Sequence, residues 1–284
     1  MTNSQGTDNI QLIDVEKVIA NKNPRLLAVL PSFLIRYLKR IIHQEELNKA
    51  LKKHGHLYGK PFVSEVLKEL GTRYEVIGAG NIPKNGRFIF FSNHPLGGLD
   101  GLIFIHEIGR YFDEVKFVVN DLLMFVKNME PVFIPVNKHG RQSADYARRI
   151  DEAYASDDQI LYFPAGLCSR RRRGVIEDIP WKKNFLAKAI RYKRDLIPVH
   201  FSGRNSSFFY NLANLRVRLG IKSNIEMVFL PDEMFKQKDK DITLRIGKPI
   251  SYGVFDNRYN LQQWTDMLKK HVYSLAENTD KPFP

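Results

Sequence analysis

The sequence predicts an α/β domain with a largely parallel central sheet flanked by helices, preceded by an amphipathic helical element. Three observations carry this. Short apolar runs rich in β-branched and aromatic residues alternate with helical patterns from residue 73 onward. Several of these runs end at a Pro or Gly and a polar cluster, as strands do at a ligand-bearing sheet edge. Apolar residues are 43% of the 284 and charged residues 26%, the balance of a globular chain of one large or two small domains.

The elements follow in order. Residues 1–23 read as a polar tail and a short helix. They lack a basic stretch followed by an apolar one, so no secretory leader is expected. Residues 31–51 are helical, with Pro31 in the first turn. Phe33, Leu34, Tyr37, Leu38, Ile41 and Ile42 recur at three-to-four spacing, and Arg36, Lys39 and Arg40 gather on the other side. Such a basic amphipathic helix suits an anionic lipid surface, and equally a helix packed on the domain with a solvated basic face. The apolar run 26–35 contains Pro31 and is too short to span a bilayer. A further helical piece covers 62–70. The boundary is placed there, leaving 1–70 as tail and amphipathic element and 71–284 as the α/β body.

In that body, 73–79, 87–92, 115–120, 131–136, 159–164 and 195–201 read as strands, followed by 225–231 and 242–250. Helical patterns cover 99–111, 122–127, 142–155 and 181–192. A closing helix, 261–276, has Trp264, Leu268, Val272 and Leu275 on one stripe.

The net charge of +13 and pI near 9.6 favour polyanions: nucleic acid, anionic headgroups, acidic carrier proteins or CoA phosphates. The lone cysteine, Cys168, excludes an intrachain disulfide and a cysteine zinc site, and points to a reducing compartment. No phosphate-binding loop, nucleophile elbow or H-E-x-x-H is present. Gly78-Ala79-Gly80 lacks the third glycine of a dinucleotide fingerprint, and His106-Glu107 is followed by Arg110 where a second histidine would stand.

The stretch FFSNHPLGGLDGLIF, residues 90–104, holds the first candidate site. An apolar strand ends at Asn93-His94-Pro95, because proline cannot continue a central ladder. Gly97-Gly98 permits a tight turn, and a helix follows. This puts His94 on the loop at the strand's C-terminal end and Asp100 near the helix start. Imidazole suits proton transfer near neutral pH, and a carboxylate on its other nitrogen would fix its tautomer. A helix-capping Asp and an ordinary loop His explain the same spacing. The second candidate is LYFPAGLCSRRRRG, 161–174, where arginines follow a strand end as an anion subsite or an exposed basic loop. Cys168 fits no nucleophile pattern, and His200, alternating with apolar residues, reads as a core histidine.

Four blocks in order resemble the motifs of the lysophospholipid/glycerol-3-phosphate acyltransferase superfamily: Asn93-His94 with Asp100, Phe133-Ile134, Phe163-Pro164-Ala165-Gly166, and Ile197-Pro198-Val199. The resemblance spans about 70–250. SNHPLGGLDG and FPAGLCSRR suggest the hemolysin-like branch that includes the O-acyltransferases of glycine and ornithine aminolipids. It implies that His94 is the general base and Asp100 its partner, with no covalent acyl-enzyme. The acyl donor would be acyl carrier protein or acyl-CoA as co-substrate, with no cofactor and no metal. Asn93, Gly97, Gly98, Phe133, Pro164, Gly166, Ser169, Arg170 and Arg171 would shape the substrate site. Five residues separate His94 from Asp100 where the family has four, and Gly97-Gly98 can absorb the extra one. Ala165, Cys168 and Val136 replace the Glu and two Arg that grip glycerol phosphate. The implied acceptor is therefore an aminolipid, its carboxylate facing Arg170 or Arg171. The expected setting is the cytoplasmic face of an anionic membrane, with no nucleic acid as partner. A basic nucleic-acid-binding protein and a lipid-binding member without catalysis are the alternatives.

Overall fold

The computed structural model describes residues 12–120, 126–136 and 143–284. Its helices are α1 (Val15–Lys22), α2 (Pro24–Val29), α3 (Ser32–Ile41), α4 (Gln44–His54), α5 (Lys60–Glu69), α6 (Gly98–Ile108), α7 (Ser143–Ala155), α8 (Asn184–Tyr192), α9 (Ser207–Arg218), α10 (Leu230–Phe235) and α11 (Leu261–Ser274). Its strands are β1 (Arg73–Ile77), β2 (Phe88–Ser92), β3 (Val115–Asn120), β4 (Phe133–Val136), β5 (Gln159–Tyr162), β6 (Arg170–Arg172), β7 (Val175–Glu177), β8 (Asp195–Phe201) and β9 (Asp241–Ile246).

Among the described residues the main sheet has the order β1-β9-β8-β2-β5-β3-β4. The neighbours from β8 to β4 all run parallel. β9 joins β8 antiparallel and carries β1 parallel to itself. The C-terminal ends of β2, β5 and β8 therefore lie side by side at one edge. β2 is buried at every position, as a strand covered on both faces must be. One face packs Phe90, Leu161 and Ile197 under α5 and α6, and the other packs Ile89, Phe91 and Leu196 under α8 and α11.

The helical expectation for 31–51 is corrected to two helices. His43 takes φ +55 between α3 and α4, a left-handed turn that no continuous helix accommodates. Residues 225–231 are also not a strand. They form a 3-10 turn, Ile225–Phe229, leading into α10 with Pro231 in its first turn. Buried Glu226 interrupts the apolar run and is held by two arginines. The expected helix at 122–127 lies mostly outside the described residues. Lys127–Val132 is a 3-10 turn, so the strand read from 131 begins at Phe133. The arginine run is not an open loop but the first strand of a small antiparallel hairpin, β6–β7. Helix α9 was missed: its apolar residues face two ways, which blurs the period. Among the described residues no helix is long and apolar enough to cross a membrane.

Candidate active site

The chain reverses between β2 and α6. Gly97 has φ +74, where L side chains are strained, and a Cβ there would lie 2.8 Å from Leu230. Gly98 is ordinary helix, and its Cβ would meet only the Met234 sulfur at 3.8 Å. One glycine of the pair thus shapes the turn. Asp100 falls in the first turn of α6, where the N-terminal dipole favours a carboxylate.

The turn brings His94 and Asp100 together across the five-residue gap. His94 Nδ1 is 3.0 Å from each carboxylate oxygen. The Asp100 side chain is fully buried and also accepts the Leu96 N–H at 2.9 Å and the Gly101 N–H at 3.0 Å. These donors hold the carboxylate fixed, so the imidazole is oriented with Nδ1–H toward it and Nε2 turned to the remaining space. His94 keeps 17% side-chain exposure. Its ring stacks on Phe163 at 4.0 Å between centroids, and Phe163 packs on Phe104, Phe117 and Phe201. An apolar wall on one side and an open edge on the other suit a base that meets a lipid substrate.

A second carboxylate braces the same loop. Asp178 accepts the His94 backbone N–H at 3.2 Å, the Ser169 hydroxyl at 2.6 Å and the Trp181 indole N–H at 2.8 Å. Burial pushes its carboxyl above the usual range against these hydrogen bonds. The Ser169 N–H in turn donates to the His94 carbonyl at 2.7 Å. The sequence reading missed Asp178. It lies 84 residues from His94 in a stretch with no motif, and only folding makes them neighbours.

The remaining predicted residues divide. Asn93 clips β2 to β8, donating to the Phe201 carbonyl at 2.9 Å and accepting the Phe201 N–H at 2.8 Å. It is a buried strut. Pro164 and Gly166 form the turn after β5, with Gly166 at φ +67 and its N–H on the Phe163 carbonyl. Phe133 is in register with Phe117, which pairs with Leu161, so it lies below the edge, against Phe117, which in turn packs on Phe163. Arg170 is buried and bonds Glu226 at 2.8 Å and the Cys168 carbonyl at 2.7 Å. Its charge is committed inside the protein. Arg171 is half-buried, over the Tyr210 ring and bonded to Asn211. Cys168 is buried and its thiol is pushed up to about 11 by burial, unlike a nucleophile. His200 is a core histidine, as expected, with burial pushing it down to about 4.

A base held by a buried carboxylate at a parallel-sheet edge can deprotonate a hydroxyl. The family model described as Acyltransferase matches residues 17–281. The chain belongs to this acyltransferase family. Two proteins named lyso-glycine lipid O-acyltransferase, from Bacteroides thetaiotaomicron and Phocaeicola vulgatus, are each 46% identical to it over 269 residues. The match covers 94% of this chain and 99% and 96% of theirs. A crystal structure of a 1-acyl-sn-glycerophosphate acyltransferase from Thermotoga maritima is similar at 16% identity and a TM-score of 0.46, covering 92% of this chain and 99% of that one. In this acyltransferase the matched span includes the segment that carries the His94–Asp100 contact.

Proposed function

We propose that this acyltransferase moves a fatty acyl group from a thioester, carried by acyl carrier protein or CoA, to the hydroxyl of a lyso-glycine lipid. The near full-length 46% identity to two lyso-glycine lipid O-acyltransferases carries this reading. The chemistry rests on the His94–Asp100 contact. The Nε2 of His94 takes the acceptor hydroxyl proton as the oxygen attacks the thioester carbon. The tetrahedral intermediate expels the thiolate, which receives that proton from the imidazolium. Asp100 keeps the imidazole in the reactive tautomer, and Asp178 with Ser169 positions the loop that carries it.

With Arg170 neutralised by Glu226, Arg171 is the arginine of the pair left to meet the acceptor carboxylate. In this reading residues 1–70 serve as the membrane-associating element, α3 lies on anionic lipid, and the enzyme works at the cytoplasmic face. The test is single-turnover transfer from palmitoyl carrier protein in mixed micelles to lyso-glycine lipid, lyso-ornithine lipid and lysophosphatidate. Transfer to lyso-glycine lipid that collapses in His94→Ala is expected. Robust transfer to lysophosphatidate instead would sink the acceptor assignment.

A further inference from the structure

Helix α9 is apolar on two faces. Phe209, Tyr210 and Ala213 are buried against the body. Phe208, Leu215 and Leu219 are 50%, 51% and 64% exposed, and their spacing puts them with Leu212 on a second stripe well away from the first. One buried face is all a surface helix needs, so an exposed second stripe marks a contact surface.

The stripe continues onto α3. Phe229 lies 5.0 Å from Phe208 and 6.4 Å from Tyr37, ring centroid to ring centroid, so it bridges the two helices. Phe33, 65% exposed, extends the surface along α3. The charge on this surface has one sign. From Ser206 to Asn224 there is no Asp or Glu, only Arg216, Arg218 and Lys222, and from Asn23 to Ile42 the charged residues are again all basic. Arg216 is used inside by Glu226, while Arg36, Arg40, Arg218 and Lys222 are exposed. Asp232, which lines a pocket with Tyr37, Phe208 and Phe229, is already paired with His43 and Lys236, and Glu16 is paired with Lys39 of α3. Beside the stripe runs a groove of about 740 Å³, lined by Phe208, Leu215, Arg171 and Arg218 among others. Arg171 is two residues beyond Ser169, whose amide holds the His94 carbonyl, so this surface adjoins the loop of the active site.

We infer that α9 and the 3-10 turn after it form, with α3, one docking face for an anionic bilayer. Apolar side chains enter the acyl boundary while arginines and Lys222 meet the headgroups. The inference rests on the lipid-acceptor reading and adds the surface that would deliver the acceptor. An acidic carrier protein is the competing occupant. The continuous apolar stripe across two helices favours a bilayer, which takes up protruding Phe and Leu side chains without a matching pocket.

The test is sedimentation of the full chain with phosphatidylcholine vesicles, with and without one-third phosphatidylglycerol. Wild type is expected to bind the anionic vesicles, with affinity falling as salt rises. Leu215→Gln with Leu219→Gln, and separately Arg218→Glu, should each weaken binding at least tenfold. Tyr259→Gln, 43% exposed beside Trp264 on the α8 and α11 side of the sheet, should not. Leu219→Trp supplies a second readout that retains an apolar side chain. Trp181 and Trp264 are 2% and 1% exposed, so a blue shift on adding vesicles reports the new indole. Wild-type binding by the α9 variants, or no shift from Leu219→Trp, overturns the inference. Loss of binding to palmitoyl carrier protein with vesicle binding intact also overturns it and assigns the face to the carrier. Vesicle binding through α9 without transfer to lyso-glycine lipid would leave this surface standing and remove the acceptor assignment alone.

Discussion

Replacing Asp100 by Asn keeps the side chain's shape and changes what it can offer His94. The carboxylate accepts from His94 Nδ1, Leu96 N–H and Gly101 N–H. Leu96 N–H donates to Oδ2 and Gly101 N–H to Oδ1, so the one oxygen of Asn keeps one of these donors and its NH₂ stands in front of the other. Nδ1 is 3.0 Å from both positions, so in either orientation it meets an amide N–H that can donate to it. The carboxylate's hold on the Nδ1–H tautomer is lost, and imidazole with its proton on Nε2, the nitrogen meant to take the substrate proton, becomes populated. General-base catalysis supplies about 10²- to 10⁴-fold, so the loss should lie in that range, or about 3–5 kcal/mol in the barrier. The fold should lose the charge-assisted hydrogen bonds of one carboxylate oxygen, about 1–3 kcal/mol each. The assay is kcat/KM for transfer to lyso-glycine lipid beside the thermal midpoint of the same samples. A variant within about tenfold of wild type, with an unchanged midpoint, would refute the tautomer argument.

Other outcomes follow from the same structure. Glu226→Ala leaves Arg170 and Arg216 buried without their anion and should cost about 3–5 kcal/mol in urea unfolding. A loss below about 1 kcal/mol would show that these arginines find other partners. Gly97→Ala must strain the positive φ and displace Leu230, so it should destabilise by about 1–3 kcal/mol and slow transfer, while Gly98→Ala should be neutral or stabilising. Equal effects of the two in melting and activity would contradict the turn described. His200 is held near 4, below the ordinary 6.5, so between these values the unfolded chain binds a proton that the folded chain refuses. Stability should therefore fall as pH drops from about 6.5 to 4, by up to about 3 kcal/mol from this group. His200→Gln should flatten that part of the urea midpoint against pH, and an unchanged slope would assign it elsewhere.

The strands of the parallel core were legible because burial on both faces demands continuous apolar runs, as in 87–92 and 195–201. The turn at 93–100 was legible because Pro and Gly are punctuation that few other structures need. Residues 225–231 misled because a short apolar run has no period long enough to separate strand from helix, and Glu226 finds its arginines only in the fold. The arginines of 170–173 looked alike in sequence, yet Arg170 points inward to Glu226 while Arg171 lies toward Asn211.

By itself the sequence determined the class of fold and the sheet edge that carries His94 and Asp100, both from local constraints: apolar period, proline and glycine. The roles of base and partner came only from the family resemblance. Only the tertiary structure decided which glycine shapes the turn, that Asp178 braces the His94 loop from 84 residues away, and that α9 meets α3 across Phe229. Those facts depend on which distant surfaces the folded core brings within hydrogen-bonding or van der Waals distance, and no local pattern along the chain encodes that distance.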